Sequence, residues 1–313
     1  MLNILNEEIM EDIEMHQSST HIPVLSKEVV EHLNLKGGQV IVDGTVGLGG
    51  HAKMILPQIG ASGRYIAIDR DEESLVIAQE NLKVFETQCR FVQDDYRHID
   101  KILKQLEIFE VDGILLDLGV SSFQLDNPER GFSIKGEGPL DMRMDKKSYI
   151  SAYDLINSLS EKEISSILRN FGEERFHNRI ARCLVAERMK KPIESTKDLT
   201  EIILKALPYR YQHQRIHPAT RTFQAIRIAV NRELESLEIV LEKSLSCLKM
   251  GARMCIIAFH SLEDRIVKEK FKAWAKSSQI KLIVKKPLWP SEEEIESNPR
   301  ARSARLRVAE RIS

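Results

Sequence analysis

The 313-residue chain predicts an α/β fold, a parallel sheet covered by helices and split in sequence by an inserted all-helical subdomain. Two observations carry this. Short apolar runs alternate with helix-patterned segments as far as Asp117, the signature of successive βαβ units. The alternation then lapses until Arg253, and a structureless loop of that length does not suit a compact domain, so the segment between is expected to be helical.

The elements follow in order. An amphipathic stretch runs from Ser26 to Leu33. Residues 39–43 are a continuous apolar run of strand length, as expected for a parallel strand buried on both faces. A glycine-rich turn follows, then a helix that Pro57 closes. Strands at 64–69, 89–93 and 111–117 are separated by helices at 72–83 and 96–106. Residues 125–145 are rich in Gly, Pro and Asp and read as a loop. Helices are expected at 178–190 and 196–207, and Pro218 opens a long periodic run to about Leu248. The sheet resumes at 253–259, followed by a helix at 262–274 and strands at 280–285 and 304–309. The expected organisation is therefore a flexible tail at 1–20, a discontinuous sheet domain at 21–125 with 233–313, and an insert at 126–232.

Composition narrows the class. With 42% hydrophobic and 30% charged residues the chain is neither disordered nor collagen-like. Cys89, Cys183, Cys247 and Cys255 are scattered, with no C-x-x-C and no His pair at metal spacing, so buried thiols in a reducing compartment and no metal are expected. Glu7, Glu8, Glu11, Asp12 and Glu14 exclude a signal or transit peptide, and no apolar run approaches membrane length, which points to a soluble, cytoplasmic protein without a membrane partner. The net charge of −1 hides an asymmetry: residues 1–120 carry 10 basic and 21 acidic side chains, and residues 121–313 carry 36 and 26. Either the second part faces a polyanion or solvated charge happens to be partitioned this way.

The segment Asp43-Gly-Thr-Val-Gly-Leu-Gly-Gly-His51 joins the first strand to its helix. Glycines there let the backbone approach a ligand closely, and the helix start offers free N–H groups to an anionic group. Asp69 ends the second strand, where a carboxylate can accept both hydroxyls of an adenosine ribose. A tight turn beside a surface Asp is the structural alternative, but the coincidence of turn, helix, strand and terminal acid favours nucleotide-type binding. Gly47-x-Gly49-x-x-Ala52 also fits a dinucleotide fingerprint, so a nicotinamide oxidoreductase stays open. So does S-adenosylmethionine, whose charged amino-acid tail suits the second polar cluster, Asp117-Leu-Gly-Val-Ser-Ser-Phe-Gln124. The absence of a P-loop Lys argues against ATP hydrolysis.

Several longer runs resemble the MraW/RsmH family: His21-Ile-Pro-Val-Leu25, the glycine-rich turn itself, Asp112-Gly-Ile-Leu-Leu-Asp-Leu-Gly-Val-Ser-Ser122, Arg130-Gly-Phe132 and Gly138-Pro-Leu-Asp-Met-Arg-Met-Asp145. So do Gly172-Glu-Glu-Arg-Phe176, His217-Pro-Ala-Thr-Arg-Thr-Phe-Gln224, Phe259-His-Ser-Leu-Glu-Asp-Arg265 and Asn298-Pro-Arg-Ala-Arg-Ser303. The resemblance implies a Rossmann-like class I methyltransferase domain with an inserted all-helical subdomain. It implies transfer of a methyl group from S-adenosylmethionine to the N4 amine of a cytidine in the decoding centre of bacterial small-subunit (16S) ribosomal RNA. The RNA is expected within an assembled or nearly assembled subunit, and a homodimer is left open. By the same resemblance Gly49, Gly50 and His51 hold the methionine end of the cofactor, Asp69 the ribose, and Tyr96 packs near the adenine. Asp117 and Gln124 line the rest. Leu48, Tyr96, Phe123 and Ile134 depart from the family's commoner Arg, Phe, Pro and Phe, and none removes a polar group with an obvious chemical role.

Such a reaction needs in-line alignment and an acceptor for the amine proton, for which Asp117, carbonyls near Gly119, Asp141 and Asp145 are candidates. For the last two, loop bracing by Arg143 is the competing reading. Ser261 and Asp264 read as a near capping box, with His260 either part of that helix start or at the substrate mouth. Between Ile202 and Arg232 there is no acid, while Lys205, Arg210, Arg215, Arg221, Arg227 and Arg232 interleave with Tyr209, Tyr211, His213 and His217, which suits phosphate contact with base stacking. Arg143, Arg210, Arg215, Arg221 and His260 are the expected RNA contacts. Arg300, Arg302, Arg305, Arg307 and Arg311 form a second cationic stretch, open between RNA and structure. A non-catalytic RNA-binding assembly factor is a further alternative.

Overall fold

A computed structural model describes residues 23–212 and 216–313, so the tail expected at 1–20, His213 and Arg215 lie outside the described residues. The chain divides into two compact units. Residues to Leu118 with Ile239–Ser313 form the first, and Gly119–Glu238 the second, against the insert limits of 126 and 232 expected from the sequence. Among the described residues no helix is long and apolar enough to cross a membrane.

The first unit is built on seven strands: β1 (Val40–Asp43), β2 (Arg64–Asp69), β3 (Cys89–Gln93), β4 (Val111–Asp117), β5 (Leu248–Ala258), β6 (Ile280–Leu282) and β7 (Arg305–Arg311). Their spatial order is β3-β2-β1-β4-β5-β7-β6. Strands β3, β2, β1, β4 and β5 pair in parallel, and β7 runs antiparallel to both β5 and β6. This is a Rossmann-like α/β sheet. Strand order reverses between β1 and β4, and in such sheets that switch point is where ligands bind. The central strands are short and apolar because helices cover both faces. Ile41, Leu115, Cys255, Ile257, Leu306 and Val308 pack with Ile55, Leu56 and Ile59 of the helix Gly50–Ile59 in one buried cluster. Each such aliphatic side chain contributes about 1.5–3 kcal/mol by leaving water.

Several boundaries differ from those expected, for local reasons. The helix Gly50–Ile59 contains Pro57 rather than ending there, giving up the bond that the missing N–H would make, and it stops at Gly60 with φ 63°. β5 begins at Leu248, with Gly251 at φ 77° and a register shift against β4. It ends at Ala258, so the following helix starts at Ser261.

The second unit is helical, with a core of Ile164, Leu168, Ile180, Leu184, Leu199, Ile203, Phe223 and Ile226 among others. Serine sets its helix starts. Ser151 with Asp154, Ser160 with Glu163 and Ser195 with Asp198 each form a capping box, satisfying N–H groups that a helix start leaves unpaired. The long run expected from Pro218 is two helices, Thr220–Asn231 and Glu233–Cys247, broken at Arg232 in the left-handed region with φ 50°. Neither Gly nor Pro marks the break.

The loop at 125–145 is irregular but tightly held. The Arg130 guanidinium is buried and donates to the carbonyls of Arg143 and Met144, each at 3.0 Å. Asn231 accepts from Met144 N at 2.8 Å and donates to Met142 O at 2.8 Å. A Cβ on Gly138 would lie 1.9 Å from Pro128 O, so the two sides of the loop touch backbone to backbone. Gly138→Ala is therefore expected to force the loop apart and cost on the order of 2–4 kcal/mol, seen as a lower thermal midpoint. An unchanged midpoint would contradict this packing.

Candidate active site

Three carboxylates stand at the carboxyl ends of three neighbouring parallel strands. Asp43 ends β1, Asp69 ends β2 and Asp117 ends β4. Asp43 pairs in register with Ala67 and Leu115, so the other two acids extend two residues beyond it on either side. The glycine-rich turn is stitched to both flanks. On the β4 side Gly44 N donates to Leu115 O at 2.9 Å, and Thr45 Oγ1 accepts from Asp117 N at 2.6 Å. On the β2 side Val46 N donates to Ile68 O at 3.0 Å, and Gly47 N to Asp69 Oδ2 at 2.9 Å.

Asp43 anchors this arrangement from below. It is buried, accepts from Thr45 N at 3.0 Å, and accepts from the buried Tyr65 hydroxyl at 2.6 Å. Burial raises its pKa, opposed by the Tyr65 hydrogen bond, and burial likewise raises that of Tyr65. Gly44 has no room for a side chain, because a Cβ would meet Leu116 at 2.5 Å and Tyr96 at 3.0 Å. Gly49, at φ 84°, caps the helix that begins at Gly50. That helix has no side-chain cap and no acid in its first turn, which leaves its N–H groups and dipole to an anionic group.

His51 is buried, and its Nε2 lies 3.5 Å from Asp117 Oδ2. Neither ring nitrogen makes a hydrogen bond, and Asp117 Oδ1 is also buried without one. Leaving such a group unsatisfied costs about 1–3 kcal/mol, so three unsatisfied atoms at one switch point call for a ligand. A zwitterionic amino-acid end fits them, with its ammonium toward Asp117 and its carboxylate toward His51 and the helix start. Asp69 is half-buried; Oδ1 accepts from Asp71 N at 2.9 Å while Oδ2 holds Gly47. Burial pushes its pKa up to about 6, against the pull of those backbone donors.

Tyr96 is buried beside Gly44, with the Arg70 guanidinium 5.5 Å from its ring centroid. Gln124 lies in the second unit at the third position of a short helix. It accepts from Ser121 N at 3.0 Å in a capping box, a local structural use.

The acidic loop candidates are engaged within their own loop. Asp141 receives Arg143 Nε at 2.9 Å and Nη2 at 2.7 Å. Burial would raise the Asp141 pKa, but the bonds from Arg143 outweigh it and hold the carboxyl below its ordinary value. Arg143 also donates to the carbonyls of Lys146 and Ser148, so both residues brace the loop. Asp145 Oδ1 accepts from Lys147 N at 2.8 Å.

Within the acid-free run two arginines have carboxylates from beyond it: Arg227 pairs with Glu233 at 2.8 Å and Arg232 with Glu235 at 2.5 Å. Arg210 is exposed and stacks on Tyr211, and Arg221 is exposed with Nη1 3.3 Å from Glu173 O. At the second cationic stretch, Arg305 and Arg307 pair with Asp264 at 3.3 and 2.7 Å, and Arg311 lies 3.6 Å from Glu110. The helix Ser261–Lys276 is capped by His260 and Glu263 rather than by Ser261 and Asp264. Glu263 N donates to His260 Nδ1 at 3.4 Å, and Glu263 Oε2 accepts from Phe259 N at 2.8 Å. The cap sits one residue earlier because β5 ends early and Asp264 is drawn to the two arginines.

Thr45 and Tyr65 hold the strand-end acids in place, and the sequence reading passed over both. Thr45 had a signal, its place inside the turn. Tyr65 had none, because an aromatic residue in a buried strand reads as core.

Asp69 gives a pH test. If Asp69 takes the two hydroxyls of a ribose, its carboxylate must be ionised to accept them, and its pKa in the fold is about 6. Affinity for S-adenosylmethionine should therefore hold above that pH and weaken as pH falls through it, approaching tenfold per unit, whereas the folded state itself gains stability as this raised acid takes its proton. Calorimetric titrations from about pH 5 to 8 check this. A flat profile would contradict it.

Known proteins resemble this chain over most of its length. Residues 18–312 match the model of the MraW methylase family. A "Ribosomal RNA small subunit methyltransferase H" from Syntrophus aciditrophicus (strain SB) is 47% identical over 309 residues, spanning 94% of this chain and 98% of that protein. Proteins of the same name from Clostridium botulinum (strain Kyoto / Type A2) and Caldicellulosiruptor saccharolyticus (strain ATCC 43494 / DSM 8903 / Tp8T 6331) are 48% and 47% identical, each spanning 93% of this chain and 99% of the relative. The chain belongs to the MraW methylase family and is a methyltransferase with S-adenosylmethionine as its methyl donor.

Proposed function

We propose that this protein methylates small-subunit ribosomal RNA, and that its target is the N4 amine of one cytidine in the decoding centre of 16S RNA within an assembled or nearly assembled subunit. The relatives' shared name supports the RNA class. The observation that carries the chemistry is Asp117, whose Oδ1 is buried and unengaged at the end of β4 beside His51. S-adenosylmethionine supplies a methyl group already activated on a sulfonium. Asp69 accepts the ribose hydroxyls, and His51 with the helix start at Gly50 receives the carboxylate. Asp117 stands where an ammonium or an amine proton needs an acceptor.

Cytosine N4 is a weak nucleophile because its lone pair is delocalised into the ring. Alignment and a proton acceptor are therefore the protein's main contributions. The target base must leave its stack to reach a pocket at a strand end. Asp117 is the better-suited acceptor, because both oxygens of Asp141 are taken by Arg143, which lowers its pKa and weakens it as a base. A nicotinamide reading finds no support in a methylase family. The site of action is the cytoplasm, where ribosomal subunits mature.

Incubation with labelled S-adenosylmethionine and unmethylated small subunits should place label on one cytidine. Asp117→Asn should lower kcat roughly 100-fold or more. Absence of label from every ribosomal particle and RNA would overturn the proposal.

A further inference from the structure

We propose that the cluster around Tyr211 in the second unit is a preformed platform for an unpaired nucleotide of the substrate RNA; this rests on the reading of the protein as an RNA methyltransferase. Tyr211 lies in the short helix Tyr209–Gln212. Its ring has the Arg210 guanidinium 4.9 Å and the Arg175 guanidinium 5.9 Å from its centroid, and Phe176 meets it edge-on at 4.8 Å. Arg175 Nη1 also donates to the Tyr211 hydroxyl at 3.0 Å. Tyr209 next to it is 77% exposed.

Three features set this cluster apart from ordinary solvated charge. Among the described residues neither Arg175 nor Arg210 forms an ion pair, whereas Arg227 and Arg232 do. The cluster is fixed before any ligand arrives. Gln212 Nε2 donates to the carbonyls of Leu204 and Leu207 at 2.8 and 3.0 Å, tying the short helix to the preceding one, so little ordering is left for binding to impose. Finally, a guanidinium stacked on a ring still directs its N–H edge outward. Exposed aromatic and guanidinium planes with outward N–H edges match a base and its phosphate together.

The test measures binding to unmethylated small subunits, and to a single-stranded loop and a duplex RNA of equal length, over a range of salt. Tyr209→Ala should weaken loop binding roughly tenfold and duplex binding far less. Arg175→Gln with Arg210→Gln should flatten the slope of log affinity against log salt by about 1.4, with Arg210→Gln alone giving about half of that. Binding of S-adenosylmethionine and the thermal midpoint, measured on the same variants, should stay unchanged and so exclude a folding defect. Unchanged RNA affinity and slope, or equal losses on loop and duplex, would overturn the platform. Methyl transfer by the unaltered protein, run in parallel, separates the two readings. Transfer with unaffected variants refutes the platform alone, and weakened RNA binding without any transfer refutes the methylation reading alone.

Discussion

The cofactor half depends on one constraint, the stitching of the glycine-rich turn to the strands on either side of β1. Backbone hydrogen bonds from Gly44 and Val46 fix the turn's height above the sheet, and Thr45 and Gly47 then engage the strand-end acids of both neighbours. A displacement of one strand would be felt at both Asp69 and Asp117. The buried Asp43–Tyr65 pair secures the base of this network, and a charged group is tolerable there because each carboxylate oxygen has a donor. With the turn fixed in this way, the His51 ring nitrogens and Asp117 Oδ1 can be held buried without hydrogen bonds, a cost that folding bears.

The second unit applies the same economy to its loop. Arg130 and Asn231 satisfy the carbonyls and N–H of 142–144 from inside, and Arg143 closes the turn beyond it. Asp141 is thereby engaged by Arg143, and Asp145 by the backbone of its own loop. Charge in the basic part is likewise divided. Arg227, Arg232, Arg305 and Arg307 are neutralised locally, which leaves Arg175 and Arg210 as cations beside aromatic rings. The near-zero net charge therefore conceals a local surface of cations and aromatic rings.

Strands β1, β2, β4 and β5 were legible because each carries a short apolar run, and Asp69 because it ends one of them. The antiparallel direction of β7 was not, since periodicity carries no sign of strand direction. The break at Arg232 was hidden because a left-handed residue other than Gly leaves no compositional mark. The helix starts at Ser151 and Ser160 did have local signals in their capping boxes. The partners of Arg130 and Asp264 are far along the chain, and no spacing rule brings them together. Candidate residues were thus found by type and position, while whether each was occupied structurally emerged only from three-dimensional contacts.

The ends of β1, β2 and β4 are the proposed seat of the methyl donor. A crystal structure with S-adenosylhomocysteine tests it most directly. Ribose hydroxyls are expected on Asp69, and the amino-acid end against His51, Asp117 and the helix start at Gly50. Ligand bound elsewhere, with His51 and Asp117 still unsatisfied, would contradict it.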